Sequence, residues 1–389
     1  MKTTTKWLLV ASALAALPAA CGGGSENNGP ADAPTNDGGT TGDEWDQRLT
    51  ERKVDYHAAL RIASLKLQGE LPTMNEIGLI TAAPDLAAQK AAYETLVQQY
   101  IASPKFTGQM LSYWRDTFKI GETAAFDTAP AFAAQLTVEN RSYMELFTAS
   151  TGNCPTVDMA TNTFTPADCA SGAPANAGVL TNRAVMQSFF GNFAFRRAKW
   201  VQETFVCTKF PAEAGTPVDV GNPTNLYSSP WPFDSISGLE TGRINFRDVA
   251  AVVCAGCHST MNHLAPLFAN FNNMGQYQPQ IAVPTPLDGG ALALITDYYP
   301  AGQTTAWRFG KPAADLTALG AAMAADPDVA ECAVARAWNF AQGKTDIVDS
   351  LQTVPKETIA AQTAAFIANG HKLKDLMFTV FTSDDFTKF

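Results

Sequence analysis

Two thiols on one turn with an imidazole directly behind them make the most chemically specific stretch of this 389-residue chain: Cys254-Ala255-Gly256-Cys257-His258. In this spacing the thiols can add to the two vinyl groups of a haem, and the histidine that follows can ligate the iron through the ring nitrogen distal to the backbone. The same residue types serve three other chemistries. A CxxC pair can be a plain disulfide, half of a zinc site completed by His263, or a thioredoxin-like redox pair. The last wants a strand before the motif and a βαβ setting, whereas Asn245 to Val253 reads as a helix running into it. The haem reading therefore predicts one covalent haem c, with Cys254 and Cys257 as anchors and His258 as proximal iron ligand. For the sixth position Met274 or Met323 is the leading candidate, and His263, His371, Met261 and Met377 are further options. Each methionine has core packing as its ordinary alternative. The sequence contains no phosphate-cradling glycine loop, Ser-His-Asp set or HExxH.

The start of the chain bears on where such a site would work. Lys2 and Lys6 precede an apolar run from Trp7 to Leu17, and small residues lead to Cys21. This reads as a lipoprotein-type signal peptide over 1–20, too short in its apolar run to span a bilayer. Leu17-Pro18-Ala19-Ala20-Cys21 is similar to a lipobox in which Cys21 becomes the lipidated first residue, although the leucine lies one place further out than usual. Ordinary cleavage after Ala20 is the alternative. The expectation is an exported protein, anchored to a membrane through lipid on the periplasmic side, the outer membrane or the cell surface. Residues 21–44, poor in apolar side chains, form a flexible linker. With 27 Lys and Arg against 37 Asp and Glu, and a net charge of −10, the chain shows no basic run for nucleic acid. The acidity would suit a basic redox partner protein, which the sequence does not identify, or simply solubility.

Seven cysteines are present. Once Cys21 is assigned to lipid and Cys254 with Cys257 to haem, Cys154, Cys169, Cys207 and Cys332 are left for disulfides in an oxidising compartment. Three connectivities are open. The local loop favours Cys154 with Cys169, which leaves Cys207 with Cys332 to tie distant segments together.

The elements that must position these groups read as helices. Phe106, Met110, Leu111, Trp114 and Phe118 form an apolar stripe behind a Ser103-Pro104 start, and Tyr56–Leu67, Leu86–Ile101 and Thr137–Thr148 show the same three- and four-residue spacing. Asn153–Asn176 is turn-rich. Helix resumes at Thr181 and continues through Trp200 to Cys207. Phe210–Leu239 is a long irregular loop in which Trp231 or Phe233 could cover a haem edge. Asp326-Pro327 and Pro355 each open a helix, the second ending near Gly370, and Leu373, Leu376, Met377, Val380 and Phe381 share one side of a last helix. The expected fold is all-α and multi-module, with long irregular loops: an N-terminal helical module at 45–150, a cytochrome-c-like haem-binding CxxCH module at 177–290 and a C-terminal helical module at 305–389.

Several landmarks resemble a family of secreted, modular, cytochrome-c-like bacterial proteins whose domains are mostly of unknown function. Arg197-Ala198-Lys199-Trp200-Val201-Gln202-Glu203 is similar to that family's Arg-Gly-Lys-Trp-Val-x-Glu segment, with Ala198 in place of Gly. Cys254 to His258, followed by Pro266, Phe268, Phe271, Asn272 and Gly275-x-Tyr277, resembles its haem motif and downstream turn, with Asn272 where Asp is common. Leu60-Arg61 with Leu71-Pro72-Thr73, and Ser103-Pro104-x-Phe106 through Tyr113-Trp114, are similar to its amino-terminal helical domains. Cys332, Phe340-Ala341-x-Gly343 and Ser383-Asp384-Asp385-Phe386 are similar to its closing domain with the Ser-x-x-Phe signature. The resemblance implies haem-based electron transfer and names no substrate. Two other functions are weighed beside it: a haem-dependent oxidoreductase with an open sixth coordination position, and a surface scaffold or binding lipoprotein whose CxxC is structural.

Overall fold

The computed structural model describes residues 44–191, 194–209, 260–283, 293–298, 304–344, 347–350 and 353–389. Cys21 with the signal and most of the linker, the loop holding Trp231 and Phe233, the helix expected over 245–253, and Cys254 to His258 lie outside the described residues. The chain divides into two compact units, 1–51 and 52–389. Of the first, one helix is described, α1 (Glu44–Glu51).

The second unit is predominantly α-helical, and several of its helices start where a side chain satisfies otherwise unpaired first N–H groups. Asp55 accepts from the His57 and Ala58 amides at the start of α2 (Tyr56–Gln68), which Gly69 closes at φ 76°. Thr73 and Glu76 form a reciprocal capping box on α3 (Met74–Thr81), and Asp85 caps α4 (Leu86–Ala102). In α5 (Lys105–Phe118) the expected stripe of Phe106, Met110, Leu111, Trp114 and Phe118 is at most 2 % exposed. It packs on α2 and on α6 (Thr128–Val138), and the Trp114 indole N–H donates to the Thr137 hydroxyl at 3.0 Å.

One expectation fails here. Apolar spacing suggested a continuous helix over Thr137–Thr148, but α6 begins earlier and stops at Val138, and only Glu145–Thr148 (α7) is helical again. Asn140 takes a left-handed φ of 55°, and the Arg141 amide reaches back to the Leu136 carbonyl at 2.8 Å. This 6→1 bond terminates the helix with an asparagine where glycine is more usual. The turn-rich insert holds a short antiparallel hairpin, β1 (Thr156–Asp158) with β2 (Thr163–Thr165), Val157 opposite Phe164.

Where helix was expected from Thr181 to Cys207, two helices stand instead, α8 (Arg183–Ser188) and α9 (Phe195–Val206), the second preceded by Ala194 in the left-handed region at φ 66°. Further on, Asp326 caps the helix Pro327–Ala341, and Lys356–Ala368 follows Pro355, with Gly370 at φ 72° two residues past its end. All five of the residues expected to share one side of Leu373–Phe381 are buried. The disulfides join Cys154 to Cys169 and Cys207 to Cys332, with Cα separations of 5.0 and 5.4 Å. The second fastens the end of α9 to Pro327–Ala341. A buried Arg308 pairs with Asp326 at 3.0 Å, and the same carboxylate accepts the Trp307 indole N–H at 2.7 Å. Among the described residues one apolar core runs from Tyr56 to Phe386.

Candidate functional site

Two residues beyond His258 the described chain resumes as a helical turn at 260–264 and passes into a 3-10 turn, Ala265–Phe268. This segment does not ride on the surface: Met261, Asn262, His263, Leu264, Ala265 and Phe268 are all buried. What holds it is Arg197, whose side chain is fully buried. Its Nε donates to the Met186 carbonyl at 3.0 Å and its Nη1 to the carbonyls of Phe268 and Phe271, both at 2.8 Å. Nη2 donates to Met186 and, at 3.1 Å, to Asn272. The guanidinium also lies over the Phe190 and Phe271 rings, 5.3 and 5.9 Å from their centroids. Only a planar fork of donors can serve so many carbonyls at once, and these dipoles offset much of the cost of removing the charge from water.

The turn that follows is built with equal economy. Asn272 accepts from the Met274 and Gln276 amides at 2.9 and 3.0 Å, a role for which a carboxylate oxygen would serve equally. The acid-to-amide difference at this position therefore leaves the turn intact. Gly275 has φ 69°, and a Cβ there would sit 2.2 Å from the Arg183 carbonyl. The Tyr277 amide donates to the Ser171 carbonyl at 2.6 Å, and its ring meets Phe271 edge to face. Beside this turn a cavity of about 270 Å³ opens between Pro266, Leu267 and Tyr277 on one side and Thr305 and Leu316 on the other.

Other residues of the landmark on α9 have separate tasks. The Trp200 indole donates to the Phe118 carbonyl at 3.0 Å and the ring stacks on Phe189, so it fastens α9 to α5. Ala198 is fully buried within the same helix. Gln202, also fully buried, has neither amide atom in a hydrogen bond with the protein. A buried amide in that state is suited to a water or to a polar group carried by a ligand. Sequence reasoning missed it. The signal was there, since Gln202 follows Ala198 by four residues on a helix whose apolar positions mark that face as internal.

Of the candidate axial ligands, Met274 is 47 % exposed at the turn and Met323 is fully buried in the helix Leu316–Ala324. Met377 is fully buried in the last long helix. His371 stands edge-on to Phe366 at φ 61°, its pKa lowered by burial. His263 has the most defined chemistry. Its Nδ1 lies 2.7 Å from the Thr304 carbonyl, which can only accept, so Nδ1 carries the proton. The neutral ring then bears its lone pair on Nε2, and burial holds its pKa below the ordinary histidine value. That is the tautomer in which histidine ligates iron or zinc. Among the described residues, no cluster of three or more His, Cys, Asp or Glu could hold a metal ion.

A family model, PSCyt3, described as a protein of unknown function (DUF1588), matches residues 176–281. That stretch is PSCyt3-like. It contains α8, α9 with Arg197, the CxxCH sequence and the turn through Tyr277. No curated protein and no solved structure shows significant similarity to the chain.

Two outcomes follow. Arg197→Lys strips donors from several carbonyls that it now serves and should cost about 3 kcal/mol of stability, read by urea denaturation. For His263 the unfolded ring binds a proton more readily than the folded one. Stability therefore rises with pH through the window from the lowered folded value up to the unfolded value of about 6.5. Below about pH 6.5 wild type should lose more stability than His263→Gln, while His371 contributes the same sign to both proteins.

Proposed function

We propose that this chain is an exported, lipid-anchored c-type cytochrome that carries one covalent haem and passes electrons between partners. The observation that carries the proposal is the sequence Cys254 to His258 inside the PSCyt3-like stretch. Cys254 and Cys257 would hold the porphyrin edge through thioether bonds, which prevents loss of the group outside the cytoplasm, and His258 would ligate the iron. Bound haem would supply one-electron chemistry.

The described residues support this reading through what they do around the motif. Arg197 and the Asn272–Gly275 turn fix the backbone from Phe268 to Gly275, so the chain beyond the ligand histidine is anchored in the core. The buried amide of Gln202, with neither atom in a hydrogen bond to the protein, is compatible with a polar group carried by a cofactor. His263 joins Met274 and Met323 as a candidate for the other axial position. Its choice would set the potential, since methionine raises it relative to bis-histidine ligation.

Expression with haem-attachment machinery should give a protein that keeps a peroxidase-active band on a denaturing gel, and Cys257→Ser should weaken that band strongly. A colourless wild-type protein under those conditions would sink the proposal. The optical spectrum of the reduced protein then reports the axial ligands. For the anchor, wild type should sediment with membranes and Cys21→Ala should move to the soluble fraction; a soluble wild type would instead indicate cleavage after Ala20 without lipid.

A further inference from the structure

Away from the haem motif, α3 presents an apolar face with no charge on it. From Leu71 to Gln89 the sequence has no lysine, arginine or histidine, and both its acids serve as caps. Glu76 accepts from the Thr73 amide at 2.6 Å, and Asp85 from the Ala88 amide at 2.8 Å. The inner side of α3 meets α2 and α4, with Ile80 buried and Ile77 half-buried against the core. At 100° per residue the outer arc, about 140° wide, holds Met74, Asn75, Gly78, Leu79 and Ala82. All five are exposed. Met74 is 81 % exposed, and Leu79 is more than half exposed, as are Leu71 before the helix and Leu86 after it. A Cβ built on Gly78 would meet nothing within 4 Å, so the middle of the arc is open.

We infer that this face docks on a lipid bilayer, inserting Met74 and Leu79 at the boundary between headgroups and acyl chains. The inference rests on the reading of Cys21 as a lipid anchor and is independent of haem.

Three observations favour a bilayer over other occupants. The first is size. Four large side chains with the small residues between them expose on the order of a few hundred Å² of apolar surface, short of the roughly 800 Å² that each side of a standard protein interface buries. Interfacial insertion has no such minimum area, since each buried apolar group adds to the partition. The second is charge. A face without cations gains nothing from anionic headgroups, and a chain of net charge −10 is repelled by them, so the contact selects the apolar fringe of the membrane rather than its surface potential. The third is the tether. Residues 21–43 can span at most about 75 Å, and they lead into the segment that carries α2 and α3. A protein held on so short a leash meets the bilayer at an effective concentration in the millimolar range, where a weak contact is occupied. Lipid on Cys21 alone would leave the orientation of the body unspecified. Docking through α3 would specify it.

The test separates this contact from the anchor by using the full chain with Cys21→Ala, whose affinity for membranes should be too weak to show in dilute cell fractions. Flotation with neutral phosphatidylcholine vesicles at about 5 mM lipid should recover part of the protein with the vesicles. Met74→Glu/Leu79→Glu in the same background should lower the partition by about tenfold or more, and Gly78→Leu, which adds an apolar side chain to the open arc, should raise it by about threefold or more. Ile367→Glu, an exposed apolar position on Lys356–Ala368, should leave it within about twofold. All the substituted positions are exposed, so the variants should fold. Absence of flotation, flotation that the double glutamate variant leaves unchanged, or a preference for vesicles containing phosphatidylglycerol would overturn the inference. So would a dimer in analytical ultracentrifugation that the double glutamate variant dissociates, since the face would then belong to a second copy. A wild type that carries no lipid would sink the anchor while leaving this partition unaltered.

Discussion

The architecture around the candidate site depends on one buried cation. Removing a guanidinium from water costs several kcal/mol unless every donor finds an acceptor. In this protein the acceptors of Arg197 are the backbone carbonyls of Met186, Phe268, Phe271 and Asn272. The charge therefore recruits the end of α8 and the segment after the CxxCH sequence to one point. Carbonyls are position-specific in a way that apolar contacts are not. A slip of either segment by one residue would turn the wrong face of the peptide toward the arginine. The same constraint accounts for Gly275, whose hydrogen permits the turn to close against Arg183.

The helices were legible where local chemistry and apolar period agreed. Asp326-Pro327, the α5 stripe and the last long helix are all recognisable because cap, proline and spacing point the same way. The error between Thr137 and Thr148 has a clear source. Apolar residues resume at Tyr143, Met144, Leu146 and Phe147 after the polar run Glu139 to Ser142, and what stops α6 within that run is a left-handed asparagine with a 6→1 bond. The helices Thr128–Val138 and Leu316–Ala324 were missed for a related reason: buried almost throughout or rich in alanine, they show little amphipathic contrast.

Of the candidate site, residue types and spacing are visible in the sequence and the mechanics are not. Two cysteines and a histidine at this spacing stand out, although a disulfide, a zinc site and a thioredoxin-like pair draw on the same types. Arg197 and Trp200 were visible only as landmarks, and nothing in their spacing says that one serves carbonyls and the other covers the end of α5. Asn272 shows the converse. It stands where an acid is common, whereas in the fold it acts as an acceptor for two amides, which does not require charge.

The Cys207–Cys332 bond spans 125 residues and encloses the whole CxxCH sequence. Covalently, that part of the chain is a ring with two tails. A single backbone break anywhere inside it would leave the two halves still joined, so a nick in the intervening stretch opens the ring without shedding a fragment. Biogenesis also faces a sorting problem, because the compartment that oxidises Cys207 and Cys332 must leave Cys254 and Cys257 reduced if they are to be alkylated by vinyl groups. The bonded pair borders the cavity formed by the end of α9 and Pro327–Ala341, far along the chain from the motif, and this separation in sequence gives the two kinds of sulfur chemistry distinct addresses within one loop.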